Sequence, residues 1–462
     1  MTFPRILVVL LIGCIFFTSC KKESFITSPS AQLHTNVDSL FFDTVFASAG
    51  SVTKSFKIFN DNNQKLKLSS VKLLHGATSQ FKMNVDGTPG SEVDNIEIAA
   101  NDSIYIFVQV NIDPTSATAP FEVTDSVAIN YNGNNRFVKL VANGQNAHYI
   151  RCSDAEITAN TTWPNDLPYV ILCQLHVNEN VTLTIDPGCR IYVHATAPIL
   201  IDGTLKVNGN NGDSVVFRGD RLDPDYKDLP ASWPGIYFRK PSHDNAMTFT
   251  YVLNSFDAIV VDSLTRIPSA TPKLSLSDCK IDNAYEFGLV AINSSVHADN
   301  CLISNCGQNV VLSNGGVYDF YNCTVATYSN IYIQHQYPVL QISDHDNSGI
   351  VNPVFDASFT NCIFWGDNGS VTDEILISAS SDVNFGPTLY KGGSIAHASF
   401  SKTPLTTDPL FQTIDVSHAY FDFRLQPVSP AINYGDITTY PVDLDGFSRT
   451  TDIPDLGCYE RH

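Results

Sequence analysis

Hydrophobic and polar residues alternate with a period of two in the first third of the chain, as in β-strands with one buried face. The stretch "DSIYIFVQVNI" places four aliphatic residues on one face: Ile104, Ile106, Val108 and Val110. In "DSVAINYNGNNRFVKLVANG", two such runs flank Asn132-Gly133, and Asn-Gly favours a tight β-hairpin turn. About seven strands without helical periodicity predict a β-sandwich over residues 33–147.

From about Tyr149 onward, shorter strand-like runs alternate with Gly, Asn and Asp, and one phrase recurs. Asp or Asn is followed by Cys, with an aliphatic or aromatic residue two places on, at Cys279, Cys301, Cys323 and Cys362. The first two intervals are 22 residues each, and the third is 17 residues longer. Periods of this length indicate a solenoid, and in a parallel β-helix each coil stacks on the next at about 4.8 Å.

Stacked coils give these cysteines a structural role. We expect their thiols to form an inward ladder, with Ile281, Ile303 and Val325 as a second apolar ladder and the preceding Asp or Asn turned to the other side. The 17 additional residues are interpreted as one excursion between coils, within the stretch "HQYPVLQISDHDNSGIVNP". A zinc site is disfavoured, because ligands usually come in closely spaced pairs rather than one per coil.

The N-terminus predicts export. An apolar run from Ile6 to Phe17 is shorter than the roughly 20 residues of a transmembrane helix and suits a signal peptide. The following Thr-Ser-Cys resembles the lipobox of bacterial lipoproteins, although Phe17 stands where Leu is usual. That resemblance implies a signal peptide over 1–20, acylation of Cys20 and a polar tether over 21–32. A plain secretory signal remains the alternative.

Charge and cysteine content narrow the classes of partner. The net charge is −20 and no basic run follows Lys22, so nucleic acid is not expected as a partner. An acidic surface also repels polyanionic glycans unless calcium or a basic groove intervenes.

Of 11 cysteines, nine remain after signal removal and acylation of Cys20. This odd number does not make a complete disulfide framework, so burial as small apolar side chains is the expectation.

Several motifs resemble exported proteins of the pectin-lyase-like, right-handed parallel β-helix superfamily. They are "LTIDPGCRIYV", "ILIDGTLKVNG" and "SWPGIYF", with "SPAINYGD" and "DLGCYE" near the end. The superfamily usually has Ala where Cys458 stands, and Asp-Ala where Asn433-Tyr434 stand. The resemblance implies an all-β chain with a β-helix over 148–430 and a C-terminal cap over 431–462. Residues 33–147 are similar to the bacterial Ig-like domains that precede larger modules in exported lipoproteins.

The resemblance is poor for activity, because this fold hosts enzymes, adhesins and scaffolds. The lyase and polygalacturonase motifs of the superfamily are absent from the sequence. The best polar cluster is "SDHDNSG", where Asp344, His345 and Asp346 could shuttle a proton or hold a divalent cation. A solvated turn has the same composition. We assign no catalytic or metal-binding residue and expect no cofactor, with calcium as the ion that remains open.

Three functions are compatible with the sequence. The leading hypothesis is an outer-membrane, lipid-anchored protein whose β-helix binds a glycan or a surface protein without catalysis. The first alternative is a polysaccharide lyase or glycoside hydrolase that uses Asp or Glu on loops, and the second is a structural surface component. Whether the protein faces the periplasm or the cell surface stays open, as do its ligand and oligomeric state.

Overall fold

The structure is a computed structural model that describes residues 24–47, 50–114, 119–263, 271–346, 348–367, 369–449 and 453–461. The chain divides into two compact units, Met1–Asn146 and Ala147–His462. In the described residues, the helices are two single 3-10 turns, Gly76–Thr78 and Val416–His418, so the predicted all-β class is confirmed. None of the helices in those ranges is long and apolar enough to span a membrane. The signal peptide and Cys20 lie outside the described residues.

The first unit has two sheets that share one hydrophobic core. One sheet consists, in spatial order, of Phe25–Ile26, Lys65–Leu73, Phe121–Tyr131, Asn134–Gln145 and Ser39–Phe46, with Glu92–Ile98 also paired to Lys65–Leu73. The other consists of Leu33–Thr35, Lys54–Asn60, Ser103–Val110, Phe81–Val85 and Thr88–Pro89. Pairing is antiparallel except at Phe25–Ile26 and Ser39–Phe46, which are parallel to their neighbours.

The patterning of this unit confirms the strand predictions. Ile104, Ile106, Val108 and Val110 are buried, whereas Tyr105 between them is exposed. Asn132-Gly133 connects two paired strands, with positive φ at both residues, which is the hairpin turn that Asn-Gly favours.

Part of the segment predicted as a tether is integrated into the first unit. Phe25–Ile26 pairs in parallel with Lys65–Leu73, and Ala31 is buried in the core. The apolar side chain of Ile26 packs against the same core, and this burial offsets the entropic cost of ordering the segment. Composition alone had suggested a solvated linker.

The second unit is built from parallel strands in two long sheets. The first has ten strands: His148–Ile150, Tyr169–Ile171, Arg190–Val193, Val215–Gly219, Thr250–Leu253, Lys280–Asp282, Leu302–Ser304, Thr324–Thr327, Cys362–Gly366 and Thr388–Tyr390. The second has 17 strands: Glu156–Ile157, Thr161–Trp163, Leu175–Val177, Thr182–Ile185, Ile199–Ile201, Thr204–Asn208, Ile236–Phe238, Asn245–Thr248, Ile259–Val261, Leu274–Ser277, Phe287–Asp299, Gln308–Tyr321, Leu340–Ser343, Phe355–Thr360, Ile375–Ser378, Val383–Phe385 and Ala398–Phe400. An antiparallel hairpin, Phe411–Asp415 with Tyr420–Leu425, follows them.

Equivalent residues lie above one another through this second unit. One buried column consists of Leu175, Ile199, Ile236, Ile259, Leu289, Val310, Leu340 and Ile375, each paired with the next. A one-residue slip would turn the whole apolar column outward, so burial fixes the register of every strand.

The four repeated cysteines are buried, and Ile281, Ile303 and Val325 are buried in the adjacent strands. Each thiol donates a hydrogen bond to the backbone oxygen two residues earlier, as from Cys301 to Asp299 at 3.2 Å. The residues before them depart from the expected strand alternation. Asp278, Asn300, Asn322 and Asn361 have positive φ, and they form a corner between two strands. Asn tolerates this left-handed conformation better than most residues, which explains the repeated phrase.

The 17 additional residues are divided between two insertions, which also contain the ordinary turn residues of the coil, instead of forming one excursion. Residues 328–339 precede the regular strand Leu340–Ser343, and residues 344–354 follow it. The strand itself pairs in register with the coils on both sides. Its pattern was hidden in sequence because long insertions flank only four strand residues.

The C-terminal residues lie along the flank of the second unit. Asn361 donates to Asp436 O, Asn300 donates to Val442 O, and the Cys458 amide donates to Thr324. The outward residues of the covered strands are apolar, and they form a separate buried cluster with the C-terminal segment: Leu302, Ala326, Ile363, Trp365 and Leu389. Burial of that surface accounts for the position of the segment.

One pair of cysteines corrects the expectation that all nine act as buried thiols. Cys152 and Cys173 form a disulfide across 21 residues, with their Cα atoms 5.2 Å apart. The seven other cysteines in the described residues are free and buried. An odd total is therefore compatible with one disulfide, which connects the first coils of the second unit.

Candidate functional site

A cavity of about 310 Å³ on the second unit brings together exposed aromatic rings and polar side chains. We call it the tyrosine cleft, and its principal lining residues are Tyr285, Glu286, Gln308, Tyr332 and Tyr337. The exposed fractions of the three tyrosines are 48%, 51% and 49%, respectively. Large exposed rings around a concavity are unusual for residues that serve only the core.

The floor of the cleft comes from two successive coils. Tyr285 and Glu286 form the turn before Phe287–Asp299, and the Glu286 amide donates to Phe256 O in the preceding coil. Gly307 occupies the equivalent turn of the following coil, where a Cβ atom would lie 2.3 Å from Tyr285 O. Glycine therefore allows the close approach of the two turns.

A chain of side-chain hydrogen bonds fixes the polar groups of the floor. Gln341 donates to Gln308 Oε1 at 2.9 Å, and Gln308 donates to Glu286 Oε1 at 3.5 Å. Gln308 thus points its donor towards the Glu286 carboxylate, and Gln341 holds the Gln308 amide in that orientation. The second carboxylate oxygen of Glu286 has no hydrogen bond to any described residue, so it can accept from a ligand hydroxyl.

The insertion 328–339 supplies the other wall of the cleft, with Tyr332 and Tyr337. Asn330 Oδ1 accepts hydrogen bonds from the amides of Tyr332 and Ile333, both at 2.8 Å, and so forms a local turn. Ile333 is buried beneath the insertion. The rings are therefore presented by an ordered backbone, which lowers the entropic cost of binding.

A buried charge network anchors this insertion. His335 Nδ1 lies 3.1 Å from Asp367 Oδ1, and its Nε2 lies 3.1 Å from Glu374 Oε2. Lys391 Nζ lies 3.4 Å from the other Glu374 oxygen. Burial alone would lower the pKa of His335, but its hydrogen bonds to Glu374 and Asp367 outweigh burial and raise it. The protonated imidazole is thus the state that the two carboxylates favour.

A second carboxylate, Asp257, belongs to the preceding coil, close enough to Glu286 for their charges to interact. Its Oδ2 accepts a hydrogen bond from the Tyr237 hydroxyl at 3.1 Å, while its Oδ1 is buried without a hydrogen-bond partner in the described residues. Burial raises the pKa of Asp257; the Tyr237 hydrogen bond opposes this shift, and the nearby Glu286 charge adds to it. Among the described residues that line the cleft, however, Glu286 is the one carboxylate.

The sequence-predicted cluster at Asp344, His345 and Asp346 lies in the second insertion, away from the tyrosine cleft. Asp344 is buried and lies 3.1 Å from His345 Nδ1, and its other oxygen accepts from the Ser380 amide. Burial opposes the shift, but hydrogen bonds from Ser380 and His345 lower the pKa of Asp344. Asp346 accepts from the amide of Ile350 and closes a turn. Asp344 and Asp346 therefore satisfy backbone donors of their own and neighbouring loops.

Within the ranges that the structure describes, no group of three or more His, Cys, Asp or Glu side chains is arranged to hold a metal ion. The repeated cysteines face the core instead of a cleft. The tyrosine cleft itself was missed in sequence. The available signal was "SNIYIQHQYP", an aromatic and amide-rich run within an insertion, and insertions from a rigid scaffold often carry binding groups.

Comparisons with known proteins leave the chain without an assigned family. No family model and no curated protein matches the sequence. Among solved structures, a family 123 glycoside hydrolase from Clostridium perfringens has a TM-score of 0.19 and 7% identity, over 26% of this chain and 30% of that chain. A PapD-like domain of human CEP192 has a TM-score of 0.18 and 9% identity, over 27% of this chain and 91% of that chain. The Salmonella enterica SafA pilin with its SafB chaperone has a TM-score of 0.17 and 16% identity, over 24% of this chain and 54% of that chain. Likenesses at these scores carry no conclusion about fold family or function.

Proposed function

We propose that this protein binds glycans through the tyrosine cleft without cleaving them. The observation that carries the proposal is the grouping of Tyr285, Tyr332 and Tyr337 around the polar floor of Glu286 and Gln308. Aromatic rings offer apolar faces for the C–H surfaces of sugar rings, and amides and carboxylates are suited to their hydroxyls. A small number of fixed polar groups among aromatic side chains is typical of ligand sites.

The arrangement of carboxylates favours binding over hydrolysis. A glycoside hydrolase commonly needs two carboxyl groups on either side of the scissile bond. Among the described residues, Glu286 lines the cavity, whereas Asp257 does not line it and has one oxygen buried. A lyase or hydrolase remains the alternative, and its signature is the formation of new chain ends.

The architecture proposed for the chain is an Ig-like sandwich followed by a right-handed parallel β-helix of the pectin-lyase-like class. Support comes from the shared core of the two sheets in the first unit and from the coil-to-coil parallel register of the second. The sandwich would act as a spacer, and the solenoid would present the cleft.

The proposed location is the outer membrane, through lipid attached to Cys20. Support comes from the signal-like N-terminus, and the Cys152–Cys173 disulfide is compatible with an oxidising compartment. Replacement of Cys20 by Ala is expected to release the protein from the membrane fraction. Persistence of wild-type membrane association in that variant would contradict lipid anchoring.

The function is tested by incubation of the full chain with neutral and acidic polysaccharides, with and without calcium. Both retention of the protein and the appearance of new reducing or unsaturated ends are recorded. We expect retention on a neutral polysaccharide without new ends, and loss of retention in Tyr337→Ala. Tyr105→Ala removes an equally exposed tyrosine from the first unit and is the matched control. New chain ends would establish the enzyme instead, and absence of retention on every glycan would overturn the proposal.

A further inference from the structure

A second cavity, of about 260 Å³, adjoins the tyrosine cleft. We call it the asparagine pocket, since its lining includes Asn254, Asn283, Asn305 and Asn330. Tyr332 lines both cavities, so the two share one aromatic wall. A ligand longer than one cavity can therefore pass across Tyr332 from the first cavity into the second.

The asparagine pocket is constructed by the same stacking that forms the core. Asn254, Asn283 and Asn305 have positive φ and stand at successive strand ends. Asn283 Nδ2 donates to Asn254 Oδ1 at 2.8 Å and to Asp228 O at 3.0 Å. These bonds fix the amide orientations before a ligand arrives, which favours hydroxyl recognition.

The charges around both cavities are of mixed sign. Arg218 lies 3.6 Å from Asp228, so its charge is matched. Lys280 has neither an ion pair nor a hydrogen bond within the described residues, but Asp282 stands on the same face of its strand, two residues on. With Glu286 in the neighbouring cleft, the lining groups have no positive excess. A polyanionic glycan would gain little from them.

We infer that the ligand is an uncharged glycan chain of several sugar units that occupies the tyrosine cleft and the asparagine pocket together, stacked on Tyr332. This inference rests on the proposed function. It adds to the proposed function that the glycan is long enough to occupy both cavities and that it carries no charge. A single sugar would fill one cavity only and would leave the groups of the other hydrated.

The test is a titration of the full chain with neutral oligosaccharides of increasing length, prepared from the polysaccharide that retains it, and with a matched uronate series. Affinity is expected to rise with length until both cavities are filled. Lys280→Met should weaken the long ligands severalfold and leave the shortest unchanged, whereas Tyr337→Ala should weaken both. The Lys280 side chain has no hydrogen bond or ion pair with the described residues, so this variant is expected to fold normally.

The outcomes separate the inference from the function on which it rests. Binding that gains nothing beyond the shortest ligand, an unaffected Lys280→Met at every length, or tighter binding of uronates would overturn the two-cavity inference while the cleft remains a glycan site. No binding by any saccharide would overturn the proposed function and the inference with it.

Discussion

At the level of single residues, Asp257 shows a carboxyl group in an unfavourable environment. Its carboxyl group is half-buried, with one oxygen bonded to Tyr237 and the other unpartnered in the described residues. A buried unsatisfied acceptor costs free energy, and a buried charge costs more. Such strain is more often retained near functional sites than elsewhere. The sequence could not identify this Asp among 47 acidic residues, because its environment arises from the stacking of distant coils.

Replacement of Asp257 by Asn is expected to stabilise the protein at neutral pH. Burial raises the pKa of Asp257 in the folded state above the usual 3.8, so the folded state favours the protonated form. The stability of the wild type therefore falls as pH rises from about 3.8 through the raised pKa, and Asn removes this loss. Melting curves between acidic and neutral pH should show a gain of roughly 2 °C at pH 7.

The control for this change is Asp356→Asn, which removes an exposed carboxylate from an outer strand position. It should leave the melting temperature and its pH dependence unchanged. If the melting temperatures of the wild type and Asp257→Asn changed with pH in the same way, the environment described for Asp257 would be contradicted.

At the level of elements, the insertion 328–339 depends on one buried histidine. His335 lies between Asp367 and Glu374 beneath the wall that carries Tyr332 and Tyr337. Sequence periodicity identified the 17 additional residues but could not divide them into two insertions. The sequence also does not reveal the contacts that hold His335, because Asp367 and Glu374 lie 32 and 39 residues further along the chain.

Replacement of His335 by Gln is expected to loosen this insertion and weaken glycan binding. The folded-state pKa of His335 is raised, so its contribution is complete below about 6.5 and is lost as pH rises through the raised pKa. Gln lacks the charge and should make the insertion's amide exchange faster at acidic pH, with a smaller effect at alkaline pH. Hydrogen exchange, corrected for intrinsic rates, measures this change.

His345→Gln is the matched control, because His345 lies in the other insertion and outside the tyrosine cleft. Exchange in 328–339 should stay at the wild-type rate in that variant. Equal protection of the insertion in His335→Gln and the wild type at every pH would refute the anchoring role.

The cysteine ladder is the element that the sequence predicted best. A fixed period with a constant phrase is a property of stacked coils, and the thiols at Cys279, Cys301, Cys323 and Cys362 are buried. The strand alternation assumed for the preceding Asp and Asn did not anticipate the corner. One left-handed residue changes the direction of the chain, and alternation rules do not apply across it.

The free thiols are expected to resist modification in the native protein. Burial raises the pKa of Cys189 to about 11 and that of Cys458 to about 12, and it also raises the pKa of Cys301. At Cys323 burial acts in the same direction, but hydrogen bonds with Cys301 and Cys362 outweigh it and lower the pKa, so its protection rests on inaccessibility alone. A thiol reagent at neutral pH should label none of the seven buried cysteines of the described residues rapidly, and all of them after denaturation. Rapid native labelling of a ladder cysteine, located by mass spectrometry, would be inconsistent with the inward ladder.

At the scale of the whole molecule, local patterning predicted the class of each unit better than it predicted their edges. Alternation and the repeat indicated an all-β chain with stacked strands. The integration of Phe25–Ile26 and the flank position of the C-terminal segment depend on contacts with distant residues. The all-apolar strand "CIFWG" was a sign of burial on both faces, and its cover comes from residues near the C-terminus.

The disulfide is expected to stabilise the start of the second unit. Cross-linking Cys152 and Cys173 closes a loop of about 20 residues, which corresponds to about 3 kcal/mol in the loop-entropy description. The double variant Cys152→Ser/Cys173→Ser should unfold at a lower temperature. A reducing agent should lower the melting temperature of the wild type but not that of the variant. If a reducing agent left the melting temperature of the wild type unchanged, the stabilising contribution of the disulfide would be contradicted.

The most direct test of the central proposal is the affinity of the full chain for the retained neutral glycan, compared among the wild type, Tyr332→Ala and Tyr105→Ala. Loss of the Tyr332 ring should weaken binding about fivefold, since an aromatic platform contributes on the order of 1 kcal/mol. Tyr105→Ala should bind as the wild type does. Equal affinity of all three proteins would contradict glycan binding in the tyrosine cleft.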